Sequence, residues 1–367
     1  MNNELLYQVA LTQIPNIGAV HAKILLLHYS AKEIFSAKKS QLEKIEGIGP
    51  VRAAAIAKFI DFAAAEEEIK FIEKYKITPL FLTDEDYPKR LLNCYDSPTL
   101  LYYRGSADLN NTKIIAVIGS RSHTEYGKQI TEKIIKDLAA QNILVISGLA
   151  YGIDAIAHKA AIKNGLPTVG VLAHGLDHIY PTENAGLAKD MIKHGGGLLT
   201  EFRSYTKPDR HNFPSRNRIV AGMSDATIVI ETGIKGGSMI TAELANSYNK
   251  DVFAVPGKVT DSKSAGCNYL IKNNKAALLG DGADLLQAMG WEDSIKKGTK
   301  RNQRELFIEL TPEEKTIIDV LREKEKVGID EINAKSGLSS SAVAAGILNL
   351  ELQNVILSLP GKLYQLA

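Results

Sequence analysis

The sequence predicts an α/β protein with a parallel sheet as its core, a helical domain before the sheet and a small domain after it. Short apolar segments alternate with helical patterns between residues 113 and 281, which is typical of a parallel sheet covered on both faces. A glycine-containing repeat fills the first 60 residues, and a polar stretch precedes a separate pattern at the end. We therefore expect domains at residues 1–78, 79–290 and 311–367, with a linker at 291–310.

The N-terminal repeat predicts paired helices joined by glycine turns. Residues 14–18 (IPNIG) recur as residues 45–49 (IEGIG), and an apolar helical pattern follows each copy. This spacing is typical of a tandem helix-hairpin-helix or SAM-like domain, in which backbone N–H groups at a helix N-terminus can face a phosphate. The glycines could instead serve close helix packing, and Glu43 and Glu46 favour that interpretation. Both remain open.

The sheet is predicted from seven apolar segments, and residues 79–110 before them are expected to be a connector with one strand. The segments are 113–120 (KIIAVIGS), 143–148 (ILVISG), 167–173 (PTVGVLA), 197–202 (GLLTEF), 226–231 (ATIVIE), 251–256 (DVFAVP) and 276–281 (AALLGD). Ligands of such sheets bind in the crevice beyond the carboxyl ends of the strands. The loops 119–121, 147–152 and 203–213 should therefore meet in one crevice.

The basic segment 210–218 (RHNFPSRNR) places arginines on both sides of one phenylalanine. Cations for phosphates and a ring for a base are what single-stranded nucleic acid requires. Arg210 and Phe213 are expected to precede a helix, while Arg216, Asn217 and Arg218 open it. Residues of a first helical turn project around the axis, so at least one of these three should anchor the helix to an acidic neighbour. Phe213 could be a core residue or a stacking platform, with a slight preference for stacking.

Other turns of the predicted sheet supply further candidate phosphate contacts. The turn Gly119-Ser120-Arg121 lacks the GxGxxG pattern of a dinucleotide site, but its arginine can pair with a phosphate at a helix N-terminus. Ser147 and Gly148 begin a glycine-containing loop that could approach a sugar-phosphate backbone. Asp154 in that loop should cap the next helix or orient an arginine.

One more helix N-terminus and one histidine-containing loop complete the candidates. Gly237 and Ser238 open a helix whose N–H groups make a second anion site plausible. The loop 174–181 contains two histidines and an aspartate, yet no complete ligand set accompanies them, so it is expected to be structural. We predict no metal, no cofactor and no catalytic residue.

Composition bounds the compartment and the partners. The two cysteines are far apart and form no CxxC motif, which favours a reducing compartment. The sequence contains neither a secretory signal pattern nor a long apolar run, so we expect a cytoplasmic protein without a membrane partner. The formal net charge is +2, and residues 111–290 carry 20 Lys+Arg against 16 Asp+Glu. A polyanion should therefore meet the middle of the chain.

The C-terminal pattern predicts a winged-helix domain after a solvated tether. Residues 291–304 are polar and without apolar periodicity. Thr311 caps a helix, a helix, glycine turn and helix follow, and a hairpin around Pro360 and Gly361 closes the chain. Because the recognition helix 339–353 contains no Lys or Arg, packing or partner docking is favoured over groove binding of duplex DNA.

Several motifs in order resemble the DNA-processing protein A family, also called Smf. They are IAVIGSR, ISGLAYGIDAIAHKAA, HGLDHIYPTENAGLA, FPSRNRIVAG, ETGIKGGSMITAELA and VFAVPG, within residues 80–290. The resemblance implies an extended Rossmann-like domain that binds single-stranded DNA as a homodimer, protects incoming DNA in natural transformation and loads the recombinase RecA. It also implies that Arg121 binds phosphate, that Phe213 contacts a base, and that Arg210 stands where other members can carry lysine.

Two enzymatic alternatives compete with this non-catalytic function. Residues 236–243 (GGSMITAE) are similar to the PGGxGTxxE signature of nucleoside-monophosphate phosphoribohydrolases, and Gly236, Gly237 and Glu243 fit it. Met239 and Ile240 replace the second glycine and the threonine, which argues against catalysis. A nuclease or repair lyase ranks last, because no paired carboxylates at metal spacing and no activated lysine are evident.

Overall fold

The protein forms two compact units, divided between Glu292 and Asp293. The computed structural model describes residues 3–292, 310–322, 324, 326–353, 355–359 and 362–366. Most of the predicted linker, residues 293–309, and the predicted turn at Pro360 and Gly361 lie outside the described residues.

The N-terminal segment consists of short helices. They are α1 (Asn3–Leu11), α2 (Ala19–Leu26), α3 (Ala31–Ser36), α4 (Lys39–Leu42), α5 (Gly49–Ala57) and α6 (Ala63–Tyr75). The two copies of the repeat form the turns before α2 and α5, as predicted, and Gly18 is the N-cap of α2. A Cβ atom at Gly18 or Gly49 would meet nothing within 4 Å, so close helix packing does not require glycine at these two positions.

A nine-stranded sheet is the core of the first unit. Its strands are β1 (Thr78–Phe81), β2 (Leu100–Gly105), β3 (Lys113–Ile118), β4 (Ile143–Ser147), β5 (Thr168–Val171), β6 (Gly197–Thr200), β7 (Ala226–Val229), β8 (Asp251–Ala254) and β9 (Ala277–Leu278). The order is β1-β2-β6-β5-β4-β3-β7-β8-β9. Strands β3 to β9 run parallel and match the seven predicted segments, whereas β1 and β2 pair antiparallel to β6. The predicted connector thus contributes two strands rather than one.

Helices cover both faces of the sheet. They are α7 (Lys89–Leu92), α8 (Glu125–Asp137), α9 (Ile153–Lys163), α10 (Ala185–Lys193), α11 (Asn212–Met223), α12 (Gly237–Ser247), α13 (Ala265–Lys272) and α14 (Gly282–Ala288). Successive residues of β3 point to opposite faces. Ile114 packs with residues of α11 and α12, while Ile115 packs with residues of α8, α9 and α14. The prediction of a doubly covered parallel sheet is confirmed.

The N-terminal helices share a hydrophobic core with the sheet. Residues of α1, α2 and α6 pack in one cluster with Phe81, Leu100 and Leu198 from β1, β2 and β6. A polar tie accompanies it, because the buried carboxylate of Glu68 in α6 accepts hydrogen bonds from the Ser204 backbone N–H at 3.0 Å and from its hydroxyl at 2.6 Å. The helical segment is therefore fixed to the loop that follows β6.

The second unit has the predicted winged-helix elements. They are α15 (Pro312–Arg322), β10 (Val327–Gly328), α16 (Ile329–Ser336), α17 (Ser340–Leu352), β11 (Ile356–Leu359) and β12 (Leu363–Leu366), with sheet order β10-β12-β11. The predicted cap is present, since Thr311 Oγ1 accepts from the Glu314 N–H at 3.2 Å and Glu314 accepts from the Thr311 N–H at 2.9 Å.

Candidate functional site

A cleft of about 860 Å³ lies beyond the carboxyl ends of the parallel strands. The loops after β3, β4, β5, β6 and β7 contribute to it, together with the first turns of α11 and α12. Ten of the twelve residues predicted from the sequence line this cleft: Gly119, Ser120, Arg121, Gly148, Arg210, Phe213, Arg216, Asn217, Gly237 and Ser238. The other two, Ser147 and Arg218, are placed elsewhere.

The turn after β3 is locked against the start of α9. The Ile153 N–H donates to the Ser120 carbonyl at 3.2 Å. Gly152 has φ +77°, and a Cβ there would lie 2.2 Å from the Ser120 carbonyl oxygen and 2.6 Å from that of Arg121. Glycine is required at this position both for the left-handed conformation and for the close approach. This contact fixes the backbone that carries Arg121.

Arg121 and Phe213 stack on each other across the cleft. The Arg121 side chain is exposed, and its guanidinium carbon lies 5.1 Å from the centroid of the Phe213 ring. This is within the range of a cation–π contact. A cation that can bind phosphate and an aromatic face are thus adjacent, although they come from the turn after β3 and the first turn of α11.

The start of α11 differs from the prediction. The helix begins at Asn212, so Phe213 belongs to its first turn rather than preceding it. Proline is tolerated in a first turn because the N–H it lacks would have no intrahelical partner. The helix therefore begins before Pro214 and continues through it. Arg210 does precede it, is exposed, and its Nε donates to the His211 ring at 3.2 Å.

Arg216 is buried in the wall of the cleft. Its side chain is 6% exposed, Nη1 donates to the Val171 carbonyl at 2.8 Å, and Nε has no partner among the described residues. A Cβ at Gly148 would lie 1.8 Å from Nη1 of Arg216 and 2.4 Å from Oδ2 of Asp154, so these groups converge on Gly148. Burial lowers the pKa of Arg216, the Asp154 carboxylate opposes that shift, and Arg121 adds to it. The cleft wall thus holds a desolvated cation with a free donor.

Asp154 lies where it can orient Arg216, and it does not cap helix α9. Gly152 is the N-cap of α9, while an Asp154 oxygen accepts from the Ala150 N–H at 3.3 Å and the carboxylate faces Arg216. Of the two roles that the sequence allowed, the structure supports orientation of an arginine.

Arg218 anchors α11 and does not line the cleft. Its guanidinium donates to the Glu201 carboxylate and to the Asp96 carbonyl, and both charged side chains are mostly buried, at 14% and 16% exposed. The Tyr248 hydroxyl holds the Asp96 carboxylate at 2.6 Å. Burial raises the pKa of Glu201 to about 7, although Arg218 opposes the shift. The expectation that one arginine of this turn pairs with an acidic residue is confirmed.

Ser147 has a structural position. Its side chain is fully buried, and Oγ donates to the Val117 carbonyl at 2.6 Å. The hydroxyl therefore joins β4 to β3. This hydrogen bond offsets the free-energy cost of burying the hydroxyl.

The first turn of α12 opens into the cleft. Gly236 is the N-cap without a side-chain cap, and a Cβ at Gly237 would meet nothing within 4 Å. Ser238 Oγ donates to Thr232 Oγ1 at 2.7 Å, and the Asn217 amide donates to the Gly237 carbonyl at 3.5 Å. The helix N-terminus is thus accessible to an anion.

Glu243, by contrast, lies outside the cleft. Its carboxylate is 56% exposed, pairs with Lys275 Nζ at 3.5 Å and is not among the residues that line the cleft. A phosphoribohydrolase would need this carboxylate next to the sugar. The geometry therefore lacks the acidic group that the motif similarity suggested.

The loop 174–181 is held by its own hydrogen bonds. His174 Nδ1 lies 2.8 Å from the Gly175 carbonyl, and its Nε2 accepts the Tyr180 N–H at 3.2 Å. Within the described ranges, no three His, Cys, Asp or Glu side chains form a group that could hold a metal ion. In the same ranges, no helix has the length and apolar character needed to cross a bilayer.

Tyr180, Lys207 and Thr232 are among the cleft residues that were not predicted as ligand contacts from the sequence. Lys207 falls in the loop 203–213 that was placed at the crevice, so its charge could have been included. Tyr180 and Thr232 follow β5 and β7, and strand-end position was the available signal.

Comparisons with known proteins identify the family of this fold. Residues 78–290 match the family model described as DNA recombination-mediator protein A, and residues 305–362 match the DprA winged helix domain. Protein Smf of Synechocystis is 33% identical, covering 99% of both chains. The DNA processing protein DprA of Streptococcus pneumoniae is 35% identical over 69% of this chain and 96% of its own length.

Two solved structures are also similar. DNA processing protein A of Streptococcus pneumoniae aligns with a TM-score of 0.65 at 32% identity, covering 78% of this chain and 98% of that one. The Helicobacter pylori DNA processing protein A, described for its single-stranded DNA binding mode, aligns with a TM-score of 0.54 at 30% identity, covering 59% of this chain and 96% of that one.

Proposed function

This chain belongs to the DNA recombination-mediator protein A family, and from that premise we propose that it binds single-stranded DNA in the cleft as a recombination mediator. The observation that carries the proposal is the stack of Arg121 on Phe213, with exposed Arg210 lining the same cleft. Unstacked bases need an aromatic face, and the backbone needs cations beside it. The Helicobacter pylori relative, described for binding single-stranded DNA, supports this ligand.

Some groups of the cleft bind phosphates, and one binds a base. Exposed Arg121 and Arg210 neutralise phosphates, and Arg216 adds a buried donor in the wall. The open first turn of α12, at Gly237 and Ser238, receives another phosphate oxygen. Phe213 stacks with a base. None of these contacts reads a base edge, so binding is tolerant of sequence.

The wider role is that of a non-catalytic protein in the cytoplasm. It acts as a homodimer, protects incoming single strands in natural transformation and loads RecA on them. The family description as a recombination mediator supports this role, and the position of Glu243 outside the cleft argues against nucleotide hydrolysis. Release of free base from nucleoside monophosphates, measured by chromatography, would contradict the non-catalytic proposal.

The DNA-binding proposal is tested by fluorescence anisotropy with labelled oligo-dT and a matched duplex over a series of salt concentrations. We expect micromolar or tighter binding to oligo-dT, with a slope near −0.7 per neutralised phosphate. Arg121→Ala and Arg210→Ala should each flatten the slope. Arg104→Ala, which removes an exposed arginine outside the cleft lining, is the matched control. Slopes that stay unchanged in both cleft variants contradict the proposed site.

A further inference from the structure

Tyr180 presents a second aromatic ring to the cleft. Its side chain is 46% exposed although it lines the cleft, and its ring centroid lies 6.4 Å from that of Phe213 at an interplanar angle of 55°. The two rings come from the loop after β5 and from the first turn of α11. Two aromatic rings and two cations thus line one cleft, and this combination suits single-stranded nucleic acid.

The backbone of Tyr180 is held firmly while its ring stays free. The Tyr180 N–H donates to His174 Nε2 at 3.2 Å, which requires the His174 proton to be on Nδ1, where it meets the Gly175 carbonyl at 2.8 Å. The His178 ring stacks on His174 at 4.6 Å. Burial lowers the pKa of His174, which favours the neutral ring that these hydrogen bonds require. The loop therefore fixes where the tyrosine ring can be.

A second, smaller pocket adjoins the cleft at these two rings. Its volume is about 50 Å³, against about 860 Å³ for the cleft, and Tyr180 and Phe213 line both. A ligand base therefore has far more room on the cleft side of the tyrosine ring.

We propose that Tyr180 is a second base-stacking residue, which receives the nucleotide adjacent to the one stacked on Phe213. The inference rests on the proposed binding of single-stranded DNA and extends it from one base position to two. Stacking accepts any base, since each has a π-face, so the second position adds affinity without adding sequence preference. Phosphates between the two bases face Arg121, which already contacts Phe213.

The test compares Tyr180→Ala, Tyr180→Phe and the wild-type chain on oligo-dT and on an abasic oligonucleotide of equal length. Tyr180→Ala should weaken oligo-dT binding by roughly fivefold to 150-fold, the range that stacking of one base covers. Tyr180→Phe keeps the ring and should bind like the wild type. All three should bind the abasic strand equally. Tyr95→Ala, which removes an exposed tyrosine outside the cleft lining, should change neither affinity.

Two outcomes overturn the inference. Wild-type affinity of Tyr180→Ala for oligo-dT means that the ring contacts no base. Equal losses on both oligonucleotides mean that Tyr180 only supports the loop, and that is why the abasic strand is included. Failure of the wild-type chain to bind either strand would instead overturn the proposed function itself.

Discussion

Two arginines separated by a single residue on α11 have opposite roles. A helix turns about 100° per residue, so residues 216 and 218 point to different sides. Arg216 lies in the cleft wall, and its Nε has no partner in the described part of the chain, whereas Arg218 binds Glu201 and the Asp96 carbonyl. The identity of a residue therefore does not determine its role here; its angle on the helix does.

Arg218→Ala should destabilise the protein without changing the electrostatics of binding. Above pH 7, where Glu201 is ionised, removing one partner of this mostly buried ion pair leaves the carboxylate uncompensated, so we expect the free energy of unfolding to fall by about 3 kcal/mol. Urea unfolding measures this loss, and anisotropy on oligo-dT measures the salt slope, which should equal that of the wild type. A flatter slope would show that Arg218 does contact phosphate.

Glu201 should make stability depend on pH. Its pKa in the folded protein is about 7, above its ordinary value of 4.5, so the folded state holds the proton that the unfolded state releases between these values. Stability should therefore decrease as pH rises from about 4.5 to about 7, by on the order of 3 kcal/mol. Glu201→Gln removes the titration and should flatten the curve of unfolding free energy against pH. Glu243→Gln, at an exposed carboxylate, should leave the curve as in the wild type.

Gly148→Ala should weaken binding by moving Arg216. The added methyl would lie 1.8 Å from Nη1, and the end of a long side chain shifts more easily than the backbone. Loss of one charge-assisted contact, about 1.5 kcal/mol, corresponds to a roughly tenfold loss of oligo-dT affinity. Gly186→Ala in α10 is the control, because a Cβ there meets nothing within 4 Å. Equal oligo-dT affinities of the two variants would show that Arg216 does not contact the DNA.

At the scale of elements, the contact between the β3 turn and the start of α9 decides where Arg121 lies. The strands themselves were predictable, because seven apolar segments can form a parallel sheet only with their carboxyl ends together. The start of α11 was not predictable in the same way. A residue before proline is typical of a helix boundary, yet proline is also favoured in a first helical turn, which is where Pro214 lies.

Gly152→Ala should reduce both stability and affinity more than Gly165→Ala. Both glycines have positive φ, +77° and +72°, so both substitutions carry a conformational cost of about 1–2 kcal/mol. Only at Gly152 would the methyl also collide with the Ser120 and Arg121 carbonyls. Thermal unfolding and anisotropy on oligo-dT compare the two; identical affinities would mean that this contact does not position Arg121.

Stacking partners are the part of the site that the sequence did not reveal. The strand before it predicts that Arg121 lies at the crevice, but its contact with Phe213 joins the turn after β3 to the first turn of α11, which are distant in the chain. The sequence predicts a structural loop around Tyr180, because the histidines and the aspartate there form no complete metal-ligand set. Only the distance between the two rings makes it a candidate for a base. Such pairings require tertiary distances, which periodicity and spacing do not contain.

At the scale of the whole molecule, the N-terminal helices and the sheet belong to one compact unit. The repeat of the N-terminal helices could be recognised in the sequence. Their shared core with Phe81 and Leu198 could not, because those contacts join distant segments. The tie between Glu68 and Ser204 brings the helical segment to the loop that leads to Arg210. The helical segment is therefore fixed to the loop that carries Arg210.

The winged-helix unit should contribute little to the salt dependence of binding. Helix α17 contains no Lys or Arg, so it neutralises no phosphate. A chain that ends at Glu309 keeps the basic linker and should show the oligo-dT affinity and salt slope of the full chain within about twofold. Anisotropy on both chains checks this. A smaller slope after truncation would assign phosphate contacts to the winged helix.

The stack of Arg121 on Phe213 also makes binding an exchange reaction. The guanidinium occupies one face of the ring, so a base that stacks on that face replaces an internal partner instead of covering bare surface. The free energy gained is then the difference between two contacts, and a cation–π contact of this kind is worth about 0.5–1 kcal/mol. Free arginine in solution resembles the displaced group and should act as a weak competitor for the ring.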